Sequence, residues 1–137
     1  MELNGIKTNL SVIGIAGVAG SGKDTFGKII GNVFENSGGK VNYLSFAAKL
    51  KAEVSEISKK LYDIDPINCT REEKNLIRPL LLAHGAIMRE KTQGQYWINS
   101  IKNLIIENNI NIITDVRFCE YECDEVDWIQ SNGGIVV

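Results

Sequence analysis

The sequence predicts an α/β domain with a parallel sheet and helices on both of its faces. Short apolar runs rich in β-branched residues alternate with longer segments whose apolar residues recur at helical spacing. A glycine-rich segment joins the first apolar run to the first helical segment. Of the 137 residues, 44% are hydrophobic and 23% are charged, so one packed domain is expected rather than a disordered chain.

The first half of the chain predicts two strands, each followed by a helix. Residues 10–17 (LSVIGIAG) are a short apolar run that ends in glycines, as a buried strand of a parallel sheet does. Residues 24–36 predict an amphipathic helix that ends at Ser37-Gly38-Gly39. The predicted apolar face of this helix consists of Phe26, Ile29, Ile30, Val33 and Phe34. Residues 41–46 (VNYLSF) predict the second strand, and a polar helix over 47–61 follows.

The second half opens with a loop at residues 63–69 and a long helix. Thr70 and Glu73 have the spacing of a capping box, so a helix is expected over residues 70–91. Pro79 lies inside this segment and predicts a kink or a break there, because proline lacks the N–H group that a helix interior needs.

The remaining segments continue the alternation of helices and strands. They predict a helix over 95–108, a third strand over 111–116 (NIITDV) and a helix over 119–131. Two glycines then turn the chain into a fourth strand that begins at residues 135–137. The whole of residues 1–137 is therefore interpreted as one domain.

The junction of the first strand and the first helix carries the most specific motif. Residues 17–23 (GVAGSGK) match G-x-x-x-x-G-K, a phosphate-binding loop whose backbone N–H groups surround phosphate oxygens at a helix N-terminus. The motif lysine, Lys23, can reach the β- and γ-phosphates of ATP. The residues expected to bind ATP are Gly17, Val18, Ala19, Gly20, Ser21, Gly22, Lys23, Asp24 and Thr25.

The residues around this loop predict a Mg²⁺ cofactor but leave its ligand open. Asp24 stands where Ser or Thr usually binds the ion, so either Thr25 supplies a hydroxyl or Asp24 contributes through a water. Asp24 also suits the first turn of a helix on electrostatic grounds alone. Asp115 ends the third strand, where a second magnesium-binding carboxylate is expected. Arg117 is expected at the same carboxyl edge, where open α/β sheets bind ligands.

Other basic residues are candidates for phosphate recognition. Arg78 and Arg89 are eleven positions apart, so on an unbroken helix they would share a face. Arginine forks suit phosphate, but for any single one of these side chains a solvated surface position is the favoured interpretation. Lys49 and Lys51, just after the second strand, face the same choice.

Composition and the remaining reactive residues exclude several classes of protein. A net charge of −2 lacks the electrostatic footprint of a nucleic-acid-binding protein. The single histidine, His84, lies on an apolar stripe and is expected to be packed or hydrogen-bonded rather than catalytic. Cys119 and Cys123 lack companion metal ligands and are expected to be core thiols. Three cysteines without a disulfide framework, and no signal or membrane segment, predict a cytoplasmic protein.

Taken with these motifs, the chain resembles the phage-type deoxynucleoside monophosphate kinases, a branch of the P-loop nucleoside monophosphate kinases. The resemblance begins with residues 17–25 (GVAGSGKDT) and 44–51 (LSFAAKLK). It continues through residues 78–89 (RPLLLAHGAIMR), which Tyr96-Trp97-Ile98 follows, and through residues 114–120 (TDVRFCE) with the closing GGIVV.

The resemblance implies a three-layer P-loop NTPase fold with strand order 2-3-1-4 and transfer of the ATP γ-phosphoryl group to a (deoxy)nucleoside monophosphate. Lys23, Asp115 and Arg117 would be catalytic, and Mg²⁺ would be held by Thr25, Asp24 and Asp115. The acceptor would be bound by Lys51, Arg78, Arg89, Trp97 and Arg117. The expected partners are ATP and the monophosphate, with no nucleic acid and no membrane.

Family members continue beyond the fourth strand, so the chain is expected to be a C-terminally truncated domain. Residues 135–137 would then be a stub at a sheet edge, which invites pairing with a second copy in a homodimer. Two alternatives stay open: another small-molecule P-loop kinase, similar to dephospho-coenzyme A kinase, or a truncated and catalytically inactive nucleotide-binding module. A GTPase is disfavoured because no Asn-Lys-x-Asp segment follows a predicted strand.

Overall fold

A computed structural model describes residues 2–3, 6–7, 11–17, 22–116 and 124–137. The elements within these ranges are β1 (Glu2–Leu3), β2 (Ile6–Lys7), β3 (Val12–Ala16), α1 (Lys23–Asn36), β4 (Val41–Leu44), α2 (Phe46–Tyr62), α3 (Arg71–Thr92), α4 (Gln95–Lys102), β5 (Ile110–Val116), α5 (Glu125–Ser131) and β6 (Ile135–Val136). None of these helices is both long and apolar enough to cross a membrane.

The main sheet has four strands in the order β4-β5-β3-β6, and every neighbouring pair is parallel. Counted along the main sheet alone, this is the expected order 2-3-1-4. β3 pairs with β5 from Val12↔Asn111, and a bulge shifts the register so that Ala16 lies opposite Val116. A separate antiparallel pair, β1 with β2, precedes the sheet and was not predicted.

Helices contact both faces of the sheet, as strand alternation requires when both faces are apolar. On one face, Gly27 of α1 lies against Ile15, Ile112 and Thr114. On the other face, residues of β3 and β5 form a buried cluster with side chains of α2, α4 and α5. That cluster consists of Val12, Phe46, Trp97, Ile101, Ile113, Val116 and Ile129. The arrangement is compatible with a three-layer α/β domain.

The buried face of α1 differs from the predicted one. Phe26, Ile29 and Val33 are 42%, 56% and 60% exposed, whereas Gly27 and Gly31 are buried. A Cβ built on Gly27 would lie 3.2 Å from Ile15 and 3.3 Å from Thr114, so a glycine lets the helix approach the sheet closely. Ile30 and Phe34 of the predicted face are half-buried, so the buried face is rotated from the predicted one toward two glycines, which carry no hydrophobic signal.

The long helix α3 runs without a break from Arg71 to Thr92, with Pro79 inside it. Pro79 and Asn75, whose carbonyl loses its helical partner, are both exposed, so water can hydrogen-bond that carbonyl. The predicted capping box is confirmed: Glu73 N donates to Thr70 Oγ1 at 3.1 Å, and Thr70 N donates to the Glu73 carboxylate at 3.0 Å.

Helix α4 ends at Lys102, earlier than predicted, because a buried side chain organises the loop that follows. The amide of Asn111 accepts from Ile106 N and donates to Ile106 O, both at 3.0 Å. These bonds satisfy both backbone polar groups of Ile106 without a helix. The predicted helix over 119–131 is observed as α5 from Glu125, and residues 119–123 lie outside the described ranges.

Gly134, which immediately precedes the last strand, packs closely against backbone atoms, and this contact predicts the effect of a substitution on stability. A Cβ on Gly134 would lie 2.7 Å from Val12 O and 2.9 Å from Ile129 O, and both are backbone atoms that yield little. We expect Gly134→Ala to lower the free energy of unfolding by about 1–3 kcal/mol through overpacking.

Gly85→Ala is the matched control, because its Cβ would meet only Leu50 at an ordinary 3.6 Å. Alanine is the better helix former there, so this variant should be neutral or more stable by up to about 1 kcal/mol. Urea denaturation of both variants measures the difference, and equal losses would contradict the close packing at Gly134.

Candidate nucleotide-binding site

The G-x-x-x-x-G-K segment connects β3 to α1. Gly22 is the N-cap of α1 with φ of 86°, and Lys23 is the first residue of the helix. Nothing lies within 4 Å of a Cβ built on Gly22, so its left-handed backbone rather than lack of space favours glycine. Val18, Ala19, Gly20 and Ser21, which complete the predicted loop, lie outside the described residues.

The first turn of α1 presents the residues considered for Mg²⁺. Asp24 and Thr25 are both exposed, and Lys23 is half-buried. The unpaired N–H groups of a helix N-terminus carry a partial positive charge, which attracts anions to this end of α1. No group of three or more metal-ligating side chains is found in the described part of the chain.

Asp115 reaches from β5 to the N-terminus of α2. Its Oδ1 accepts from Phe46 N at 2.8 Å, and its Oδ2 accepts from Ala47 N at 2.8 Å and from Ser45 Oγ at 3.0 Å. The carboxylate thereby satisfies donors that the first turn of α2 leaves open and complements the dipole of that helix. Because β5 lies beside β3, Asp115 is at the carboxyl edge of the sheet from which the loop starts.

The two arginines predicted to share a face of an unbroken helix lie on one continuous helix but differ in burial. Arg78 is exposed, whereas Arg89 is 6% exposed and donates both guanidinium ends to Asp124, with Glu125 at 3.8 Å. Asp124 is fully buried and is also the N-cap of α5. The guanidinium of Arg89 therefore ties α3 to α5, and its donors are used inside the protein.

Trp97, expected at the acceptor site, lies in the core. It is 5% exposed, and its indole N–H donates to Gly85 O at 3.2 Å. His84 and Tyr96 pack edge-to-face against its ring at centroid distances of 5.8 Å and 4.8 Å. A large indole with its only donor already paired is typical of a structural tryptophan.

The remaining predicted site residues are divided between α2 and the undescribed segment. Lys51 is half-buried on α2, and Lys49 is exposed with its Nζ 3.9 Å from the carboxylate of Glu53. Arg117, Cys119 and Cys123 lie outside the described residues, so their predicted roles stay predictions.

A polar cluster that the sequence did not reveal joins α2, α3 and α4. His84 Nε2 lies 2.8 Å from Glu53 Oε1, and the Tyr96 hydroxyl donates to the other oxygen of the same carboxylate. The expectation of a hydrogen-bonded His84 is confirmed. Glu53 was not predicted as the partner of His84, because a glutamate four positions after a lysine, here Lys49, is typical of the exposed face of any helix.

This cluster shifts two pKa values in opposite directions. Burial acts to raise the pKa of the Glu53 carboxyl, but hydrogen bonds from Tyr96 and His84 outweigh it and hold that pKa below its ordinary value. The hydrogen bond to Glu53 raises the pKa of the Tyr96 phenol above its ordinary value. Both shifts favour the state in which Glu53 is charged and Tyr96 is neutral.

A cavity of about 290 Å³ borders this cluster along α4. Two of the hydroxyls that line it are already used: Thr92 Oγ1 donates to Met88 O at 2.7 Å, and Ser100 Oγ donates to Trp97 O at 2.6 Å. Much of the polar lining is therefore satisfied by the protein itself.

Comparison with known proteins adds no further assignment, since no protein-family profile, curated protein or solved structure matches the chain.

The contrast between Arg89 and Arg78 predicts different effects of the same substitution. Arg89→Ala should lower the free energy of unfolding by about 3–5 kcal/mol, because it leaves the buried carboxylates without that guanidinium. Arg78→Ala should change it by less than about 0.5 kcal/mol, as expected of an exposed side chain. Chemical denaturation measures both, and a small effect of Arg89→Ala would contradict the buried pair.

The Glu53 cluster predicts a pH-dependent stability. The pKa of Glu53 is lowered in the folded state, so its contribution is present above the unfolded value of about 4.3 and is lost as the pH falls through the folded value. Tyr96→Phe should therefore cost about 1.5 kcal/mol at pH 7, the low end for a hydrogen bond to a charged group at a partly exposed site.

The cost of Tyr96→Phe should shrink in acid, where Glu53 is protonated in both states. Urea titrations from pH 7 down to pH 2.5 measure this trend, with Tyr62→Phe as control because Tyr62 is 55% exposed. A cost that is independent of pH would show that the phenol does not act through the charge of Glu53.

Proposed function

We propose that this chain is a P-loop kinase that transfers the γ-phosphoryl group of ATP to a (deoxy)nucleoside monophosphate. The single observation that carries the proposal is the position of the G-x-x-x-x-G-K segment. It joins β3 to α1 in a parallel sheet of order 2-3-1-4, beside a strand that ends near Asp115. Phosphate-binding loops of nucleotide kinases occupy this junction of strand and helix.

The proposed chemistry relies on positioning and charge neutralisation. The acceptor is already an anionic phosphate, so the reaction requires no strong general base. Lys23 and the N-terminus of α1 would hold the β- and γ-phosphates and stabilise the negative charge of the transferring group. Mg²⁺, held by Thr25 or Asp24, would neutralise part of the negative charge of the ATP phosphates.

The contacts of Asp115 support an indirect role for this residue toward Mg²⁺. An ionised carboxylate has about four acceptor sites, and Asp115 uses three of them for Ser45, Phe46 and Ala47. We therefore assign the direct protein ligand to the exposed Thr25 or Asp24, with Asp115 acting through a water and fixing α2.

Burial reduces the number of predicted residues that could contact the acceptor directly. Arg89 and Trp97 pack α3 and α4 against the rest of the protein, so they would act on the acceptor only through the position of these helices. Among the residues that the structure describes, Lys51 and Arg78 form no ion pair, and Arg117 stays a predicted contact. The acceptor is thus proposed to meet fewer direct ligands than the resemblance implies.

Removal of the motif lysine tests the proposal. Lys23→Ala should lower kcat/KM by on the order of a thousandfold, equivalent to about 4 kcal/mol of transition-state stabilisation. Lys28→Ala is the matched control, since Lys28 is exposed on the same helix and should leave kcat/KM unchanged. The assay uses ATP, Mg²⁺ and a panel of nucleoside monophosphates together with dephospho-coenzyme A.

The outcomes of the panel are distinct. Turnover of a monophosphate by the wild type and by Lys28→Ala, but not by Lys23→Ala, supports the proposal. Turnover of dephospho-coenzyme A alone would assign a different acceptor. Tight ATP binding without transfer to any acceptor would instead assign a nucleotide-binding module.

A further inference from the structure

A second concave site lies where α3 begins, away from the glycine-rich segment in sequence. It is a cavity of about 450 Å³ lined by Cys69, Arg71, Lys74, Asn75 and Arg78. This volume falls in the range of small-molecule sites. None of the lining residues belongs to the phosphate-binding loop, and only Arg78 has a role in the proposed kinase reaction.

The basic residues of this cavity form one row along the helix. Arg71, Lys74 and Arg78 are spaced i, i+3 and i+7, so they project from one side of α3. At a rise of 1.5 Å per residue, the row extends over about 10 Å of helix axis. All three side chains are exposed.

The row is not neutralised by the acids that surround it. The described residues place no carboxylate within 4.0 Å of these three cations, and the cavity lining contains no acid. The Glu73 carboxylate accepts from Thr70 N, and Asp65 accepts from Ile67 N and pairs with Lys59 at 3.8 Å. Like charges at i,i+3 and i,i+4 repel one another, so a multivalent anion between them would relieve that repulsion.

We propose that this cavity binds a small ligand that carries a chain of two or three phosphate groups. Two guanidinium groups can each bind phosphate oxygens in a bidentate manner, and Lys74 adds a third positive charge between them. A chain of two or three phosphates offers a separate anionic group to each cation of the row, whereas a single phosphate offers only one. The Asn75 amide adds a neutral donor on the same face.

The same observations disfavour nucleic acid as the ligand. The lining contains no aromatic side chain on which an unpaired base could stack. The net charge of −2 also opposes the approach of a long polyanion to the rest of the surface. A compact oligophosphate needs only the local row.

The thiol of Cys69 provides a direct readout, because it lines the cavity and is free and partly exposed. Alkylation of the wild-type chain by iodoacetamide is followed at Cys69 by peptide-resolved mass spectrometry, with and without inorganic tripolyphosphate. We expect saturating tripolyphosphate to slow alkylation of Cys69 at least fivefold. Orthophosphate at the same concentration should have less than half of this effect.

Two double variants test whether the row of basic residues causes the protection of Cys69. Arg71→Ala/Lys74→Ala should raise the half-protecting concentration of tripolyphosphate at least tenfold. Lys60→Ala/Lys91→Ala is the control, since it removes two exposed charges elsewhere and should leave that concentration unchanged. Thermal unfolding establishes that both double variants are folded before they are compared.

The test separates this site from the proposed kinase function. Protection by tripolyphosphate should persist in Lys23→Ala, whether or not the wild type has kinase activity. Loss of protection in Lys23→Ala would assign the effect to the phosphate-binding loop and overturn the proposal. Equal protection in Arg71→Ala/Lys74→Ala, or stronger protection by a single-stranded oligonucleotide of matched phosphate concentration, would overturn it as well.

Discussion

The carboxylate of Asp115 fixes the edge of the sheet on which the proposed site depends. It holds three donors of the α2 N-terminus, at Ser45, Phe46 and Ala47. Because Asp115 comes from β5 and β5 pairs with β3, this contact sets α2 relative to the strand that leads into the glycine-rich segment. A carboxylate that accepts several backbone N–H bonds is held in one orientation, so the protein's own contacts organise this edge of the sheet.

The buried pair of Arg89 and Asp124 has the corresponding role between α3 and α5. Asp124 both receives the guanidinium and caps α5, and Glu125 follows it on the helix. Burial of such charges costs desolvation energy, so the pair is better understood as fixing the relative position of the two helices than as a large net source of stability. The polar cluster around Glu53 joins α2, α3 and α4 in a similar way.

The features predicted correctly depend on local sequence, and those missed depend on a distant partner. A few consecutive residues are enough to specify the capping box of Thr70, the strands β3, β4 and β5 and the junction of β3 with α1. The parallel order 2-3-1-4 came from the resemblance and agrees with the sheet. Gly27 lies against Ile15 and Thr114 of the sheet, and Arg89 is buried against Asp124. Periodicity along a single helix does not reveal such partners, because they lie far away in sequence.

Helix α3 shows why the net charge of the chain predicts little about the charge at a particular site. Near its end Arg89 is buried against acids, while at its start Arg71 and Lys74 stay exposed beside a cavity. The net charge of −2 sums over the whole chain, whereas in salt each exposed charge acts over only about 8–10 Å. A ligand small enough to lie within that distance of the row interacts with the local positive charge. A longer polyanion also meets the acidic remainder of the protein, and this difference in reach favours a short phosphate chain at the start of α3.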